Sequence, residues 1–163
     1  AGWLIDYEED FILVAPDHRI EELTKALIRI GLDNVSGYVP DMDAWANACH
    51  ETETVNQIVV ADLVEKLNDG DTMILDVRGI SEYNSGHIPG AINLHVGYLE
   101  NNLDKIPHDK NVIVQCQSGD RSSIAASVLL SNGYKNITNL TGGIVAWTDF
   151  GQKIVSEQEV EMA

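Results

Sequence analysis

The amino-acid sequence predicts an α/β three-layer domain, with a central parallel sheet and helices on both faces, preceded by half of a second, degenerate copy. Two observations carry this reading. Short, nearly continuous apolar runs alternate with amphipathic helical segments, which is the pattern of strands covered on both faces. In addition, residues 11–45 and 112–147 match in order and spacing, the mark of an internal repeat.

The strands are "FILVA" (11–15), "TMILDV" (72–77) and "VIVQC" (112–116). Each is short enough for a strand and apolar enough to be buried. In "IEELTKALIRIG", Ile20, Leu23, Leu27 and Ile30 make one stripe and Gly31 supplies a helix stop. In "ADLVEKLNDG" the stripe is Leu63, Val64 and Leu67, with Gly70 as the stop. In "SSIAASVLLSNG" it is Ile124, Ala125, Val128 and Leu129, ending at Gly133.

The repeat is anchored by Gly31 and Gly133, Asn34 and Asn136, and Ala44–Trp45 and Ala146–Trp147, each pair 102 residues apart. The leading strands align at 101, so the first copy has one residue fewer in its loop. Each copy should run strand, loop, helix, strand, short helix. The copies differ at the strand end, where the second has Cys116 and the first Ala15, followed by "PDHR". Nothing before residue 11 resembles 54–105. Residues 1–50 are therefore expected to be the C-terminal half of a Cys-lacking copy, 54–152 a complete copy, and 153–163 an acidic tail that frays into solvent. A chain that opens inside a repeat and without Met is expected to be a piece of a longer protein. A half sheet with an open edge is an aggregation hazard, so the half copy is expected to be covered, with a homodimer through it as one solution.

The 163 residues are 44% hydrophobic, enough for an ordinary core. A net charge of −16 argues against nucleic acid and anionic membrane surfaces as partners. No run approaches the roughly 20 apolar residues of a membrane helix, and the acidic start is unlike a signal peptide. Two cysteines, Cys49 and Cys116, make no disulfide framework, so a reducing, cytoplasmic setting is expected.

Cys116 closes a strand and is followed by "QSGDRSS". A turn from a strand into a helix points its N–H groups at a common centre next to the positive helix end. Gly119 gives that turn its backbone freedom. A thiol facing such a nest is stabilised as thiolate, and Arg121 adds positive charge. The result is a nucleophile able to carry a covalent passenger.

"LDVRGISEYNSGHIPGAINL" (75–94), "CQSGDRS" (116–122) and "LTGGIVAW" (140–147) occur in an order that resembles the rhodanese family of sulfurtransferases, over residues 54–150. The resemblance implies a rhodanese-like fold, and it implies that Cys116 takes sulfur from thiosulfate or a low-molecular-weight persulfide and holds it as a persulfide. A thiol, sulfite or cyanide would then accept it. Cys116 and Arg121 would be catalytic, and Gln117, Ser118, Gly119, Asp120 and Ser122 would cradle the transferred sulfur. Four residues separate Cys116 from Arg121, one fewer than in a related phosphatase fold with a wider nest. A non-enzymatic binding module and phosphatase or arsenate-reductase chemistry are the alternatives. A degenerate copy before an active one also resembles the C-terminal part of fusions between a metallo-β-lactamase-like persulfide dioxygenase and rhodanese domains. In that arrangement an iron site would lie upstream, and no cofactor is expected in this segment.

Asp76 and Arg78 read best as part of an ion pair, with Arg78–Glu82 as the expected partners, pinning the next turn. His87 reads as turn packing. The histidines at 18, 50, 87, 95 and 108 have no metal-site spacing. Cys49 reads as a semi-buried thiol, and Trp45 and Trp147 as core. Asp120 stays open between two roles: pointing outward to a cation, or selecting the acceptor.

Overall fold

A computed structural model describes residues 1–48, 50–67 and 70–156. Cys49, and the end of the acidic tail at 157–163, lie outside the described residues. The chain divides into two compact units, Ala1–Thr54 and Val55–Ala163.

The second unit is built on a five-stranded, all-parallel sheet. Its strands are β3 (Asn56–Ile58), β4 (Thr72–Asp76), β5 (Ile92–Asn93), β6 (Asn111–Gln115) and β7 (Ile137–Leu140), in the order β3-β7-β6-β4-β5. Strand β6 is central because its residues 112–115 are all buried, as a strand covered on both faces must be. The short edge strands β3 and β5 carry no long apolar run, and sequence pattern alone does not reveal them.

Helices cover both faces. On one, Leu63 of α3 (Val60–Lys66) and Ile144 and Trp147 of α6 (Gly143–Asp149) join Ile58, Ile74, Ile113 and Leu140 of the sheet, with Ile88, in one cluster. α4 (Ile80–Ser85) contributes Tyr83 to its margin. On the other face, α5 (Asp120–Ser131) packs on β6, β7 and the 3₁₀ turn Val96–Tyr98. The buried stripe of α5 is Ser122, Ala125, Ala126 and Leu129. Ile124, assigned by its spacing to that stripe, is 47% exposed; the helix presents its small alanine face to the sheet instead.

Two placements correct the reading of the sequence. Residues 153–156 are not tail. Val155 and His87 exchange two backbone hydrogen bonds of 2.9 Å, and a Cβ on Gly86 would meet Ile154 Cδ1 at 2.7 Å. Arg78 pairs with Asp76 rather than Glu82. Its Nη2 donates to Asp76 Oδ2 at 2.7 Å and to the Gly86 carbonyl at 2.8 Å, so the pair does pin the turn after α4. His87 is buried there, its ring stacked on Tyr83 with 3.7 Å between centroids.

The first unit holds β1 (Phe11–Val14) parallel to β2 (Val35–Val39), with α1 (Asp17–Ile28) between them and α2 (Met42–Asn47) after. Its local bonding recurs in the second unit at the repeat spacing. Phe11 N donates to Asn34 O at 3.0 Å and Val112 N to Asn136 O at 2.9 Å. Leu32 N donates to Leu27 O at 3.1 Å, and Tyr134 N to Leu129 O at 3.2 Å. Gly31 and Gly133 have φ of 84° and 86°. The contrast is in burial. Among the described residues only Ala15 and Leu32 of this unit are buried, and Ile12 and Val14 of β1 are 43% and 47% exposed. Trp45 is half-buried and stacks on His50, whereas Trp147 is core.

No helix among the described residues is long and apolar enough to cross a membrane.

Candidate active site

Parallel strands end on one edge, and ligand chemistry in such sheets gathers at the carboxyl ends of the strands. Asp76 and Gln115 are register partners at the ends of β4 and β6, so Arg78 and Cys116 follow on that edge. From Cys116 the chain needs only Gln117, Ser118 and Gly119 before α5 begins at Asp120. Gly119 has φ of 112°, a conformation that residues with a Cβ rarely adopt. This bend turns its N–H back toward the cysteine.

Cys116 is 1% exposed. Its Sγ accepts from Gly119 N at 3.2 Å and from Ser122 Oγ at 3.4 Å. Burial is the largest single influence on the thiol and pushes its pKa up. The Ser122 hydroxyl and the N–H groups of Ser122, Gly119 and Ser118 together outweigh it and hold the thiol below its ordinary value. The sulfur is thus buried among donors that favour its anion, at the positive end of a twelve-residue helix.

A second helix end fixes the loop from behind. Ile144 N donates to Cys116 O at 2.9 Å and Val145 N to Gln117 O at 3.3 Å. The approach is so close that a Cβ on Gly143 would lie 2.3 Å from Cys116 O. This is a physical reason for the paired glycines of "LTGGIVAW". From β7, Asn139 Nδ2 reaches Gln57 Oε1 at 2.9 Å and Gly119 O at 3.5 Å.

The residues singled out in the sequence fall around this loop in distinct places. Ser122 is buried beneath the sulfur, while the side chains of Gln117 and Ser118 are exposed. Asp120 is exposed and accepts from Ser118 Oγ at 2.8 Å; no cation pairs with it among the described residues. Arg121 makes two hydrogen bonds to Glu82, at 2.7 and 2.8 Å, rather than to the sulfur. It therefore ties α5 to α4 and acts on the cysteine from outside the nest. Glu82, expected from the sequence to pair with Arg78, has its partner 39 residues on; the contact of Gly143 with the loop and the part played by Asn139 are not marked by any local pattern.

Beside the loop is an open cleft of about 390 Å³, lined by Arg78, Glu82, Ser85, Gln117, Val145 and Ile154 among others. No group of three or more His, Cys, Asp or Glu residues among the described residues could hold a metal ion.

A cysteine closing the central strand of a parallel α/β sheet, its sulfur gripped by amides at a helix start, defines a class of thiolate-cradling domains. Within that class the chain belongs to the family of the Rhodanese-like domain, whose match covers residues 59–150. A sulfurtransferase of Allochromatium vinosum is 36% identical over 105 residues, 64% of this chain and 98% of that protein. The thiosulfate sulfurtransferase GlpE of Pseudoalteromonas translucida is 32% identical over 90 residues, 55% of this chain and 86% of that one. A rhodanese-related protein of Thermoplasma volcanium has the same fold in its crystal structure, with a TM-score of 0.58 and 34% identity, over 63% of this chain and 99% of that one.

Proposed function

We propose that the second unit is a sulfurtransferase that carries sulfane sulfur on Cys116. The observation that bears the most weight is the grip on Sγ by Gly119 N–H and the Ser122 hydroxyl, in a loop that holds the thiol below its ordinary pKa. The Cys116 thiolate attacks the outer sulfur of thiosulfate or of a low-molecular-weight persulfide. A bond forms from Sγ to that sulfur, and the donor's S–S bond breaks, its electron pair leaving with sulfite or with the donor's thiolate. The terminal sulfur, now anionic, has the loop amides as hydrogen-bond donors. A thiol, sulfite or cyanide then attacks it and releases the Cys116 thiolate. Each step moves one neutral sulfur atom, so it needs no external oxidant and no cofactor. The sulfurtransferase relatives support this reading by name.

Intact mass spectrometry tests it. Incubation with thiosulfate or an organic persulfide should add one sulfur atom, which cyanide or excess thiol should remove. Cys116→Ser should gain none. A protein that gains no sulfur from any donor but hydrolyses a phosphate ester would be doing oxyanion chemistry instead. A protein that does neither, and whose partner binding survives Cys116→Ser, would be a binding module.

A further inference from the structure

The proposed transfer leaves the donor's chemical class open between an inorganic dianion and an organic persulfide. Sγ is almost wholly covered, so recognition of the rest of the donor falls to the surface around the loop. Two features of that surface point the same way.

The first is charge. Arg78 is held by Asp76, and Arg121 by Glu82, each at 2.7 Å, so both guanidinium groups at this edge are already neutralised. Arg78 is also the only cation among the described residues that line the cleft. Asp120, in the first turn of α5 directly after the loop, is exposed and paired with no cation among the described residues. Of the loop's amides, Gly119 N–H donates to Sγ and those of Ser118 and Ser122 also act on it. A sulfonate group attached to the incoming sulfur must therefore sit farther out, where the uncompensated charge is negative.

The second is shape. The cleft adjoins the loop through Gln117, whose carbonyl is bonded to Val145 N. Its walls mix apolar Ile144, Val145 and Ile154 with polar Ser85 and Thr148. At about 390 Å³ it has the size and lining of a small organic-molecule site, far more room than three sulfonate oxygens need.

We propose that this cleft seats the body of a low-molecular-weight organic persulfide, and that Asp120 sets the site's specificity against thiosulfate. The inference rests on sulfur transfer at Cys116. In the step itself Cys116–S⁻ and R–S–SH give Cys116–S–S⁻ and R–SH: one S–S bond forms, one breaks, and the proton passes to the departing, more basic thiolate. Asp120 takes no part in that exchange; its charge acts on what approaches.

The test is the rate of single-sulfur addition to the intact chain, read by mass spectrometry, from cysteine persulfide and from thiosulfate at low and at high salt. At low salt, cysteine persulfide should load the protein about tenfold faster than thiosulfate. Asp120→Asn should speed thiosulfate loading about fivefold, an effect that fades with salt, because a dianion near one exposed charge is repelled by roughly that much. Asp120→Glu, which keeps the charge, should behave like the parent. Val145→Trp, which fills the cleft, should lower the ratio of persulfide to thiosulfate rates. Melting curves identify any variant that has lost its fold. Equal loading by the two donors in the parent, or a rate ratio unmoved by either Asp120→Asn or Val145→Trp, would overturn the inference while leaving sulfur transfer in place. No loading from either donor would overturn sulfur transfer, and this inference with it.

Discussion

Arg121 and Glu82 meet through two parallel hydrogen bonds, Nη1 to Oε2 at 2.7 Å and Nη2 to Oε1 at 2.8 Å. The pair joins the first turn of α5, the helix that begins at the cysteine loop, to the first turn of α4. Glu82 also accepts from Gly79 N at 3.1 Å, so one carboxylate both caps α4 and anchors the loop's helix. The Arg121 hydrogen bond is the main reason its pKa falls from 4.5 to about 2; burial opposes this and the Gly79 N–H adds to it.

The pair's contribution to stability should therefore depend on pH in a defined direction. The folded-state pKa is depressed, so the contribution is complete above pH 4.5, the ordinary value, and is lost as pH falls through about 2. The side chains are 31% and 38% exposed, so solvent screens them. A bidentate pair of this kind is worth about 1 kcal/mol. Glu82→Gln should lower the melting temperature of the second unit by about 5 °C at neutral pH, and the gap to the parent should narrow below pH 4.5 and close as pH falls through about 2. Calorimetry at a series of pH values reads both.

The Ser122 hydroxyl donates to Sγ at 3.4 Å and is one of the groups holding the thiol down. Ser122→Ala removes that donor and leaves burial, which pushes the other way. Since the thiolate is the reactive form, the alkylation rate of Cys116 falls as pH drops through the thiol's pKa. In Ser122→Ala the midpoint should move up by about one pH unit. Peptide mass mapping after timed exposure to a small alkylating agent separates Cys116 from Cys49. An unshifted midpoint would mean that the backbone N–H groups alone set the thiolate.

How much of this could be read from the sequence depended on range. Cys116 and Gly119 are legible because strand end, turn and helix start are consecutive, and the apolar run of β6 marks where the edge of the sheet must be. The helices α1, α3 and α5 announce themselves by stripe and stop glycine. What is hidden is long-range or local in the wrong sense. The sequence suggests Arg78–Glu82, a four-residue spacing natural to a helix. In the fold Arg78 lies before α4 begins, where it folds back on Asp76 and frees Glu82 for Arg121. Nor does the strand-end pattern of Val155 show that it crosses to His87, since a single bridge leaves no periodicity.

Gly143 and Gly133 separate two costs that glycine can avoid. Both have positive φ, 57° and 86°. A Cβ on Gly143 would also strike Cys116 O at 2.3 Å and Gln117 C at 2.8 Å, while one on Gly133 would meet nothing within 4 Å. Gly133→Ala should cost only the left-handed backbone penalty, about 1 kcal/mol. Gly143→Ala must push the cysteine loop off the start of α6, so it should cost about 3 kcal/mol or more. In denaturant titrations the first should remain a folded, sulfur-loading protein. The second should lose loading along with stability, and comparable midpoints for the two would show that the α6 contact is not what holds the loop.

The two units should also differ in how they melt. The second keeps a cluster of ten buried residues on one face of its sheet alone. The first buries Leu32 and Ala15 and leaves Ile12, Val14, Tyr38 and Met42 more than 40% exposed. One buried leucine supplies roughly 2 kcal/mol, while ordering each residue costs about 1–2 kcal/mol. The β1–β2 pair, with a free edge on each strand among the described residues, therefore has little of its own to hold it. Brief digestion by a nonspecific protease should degrade residues 1–54 first and leave a resistant core beginning near Val55. That core should still load sulfur on Cys116. Residues 1–54 surviving as long as the core would mean that their exposed apolar face is covered in solution, and sedimentation over a range of concentrations would then show whether a second copy covers it.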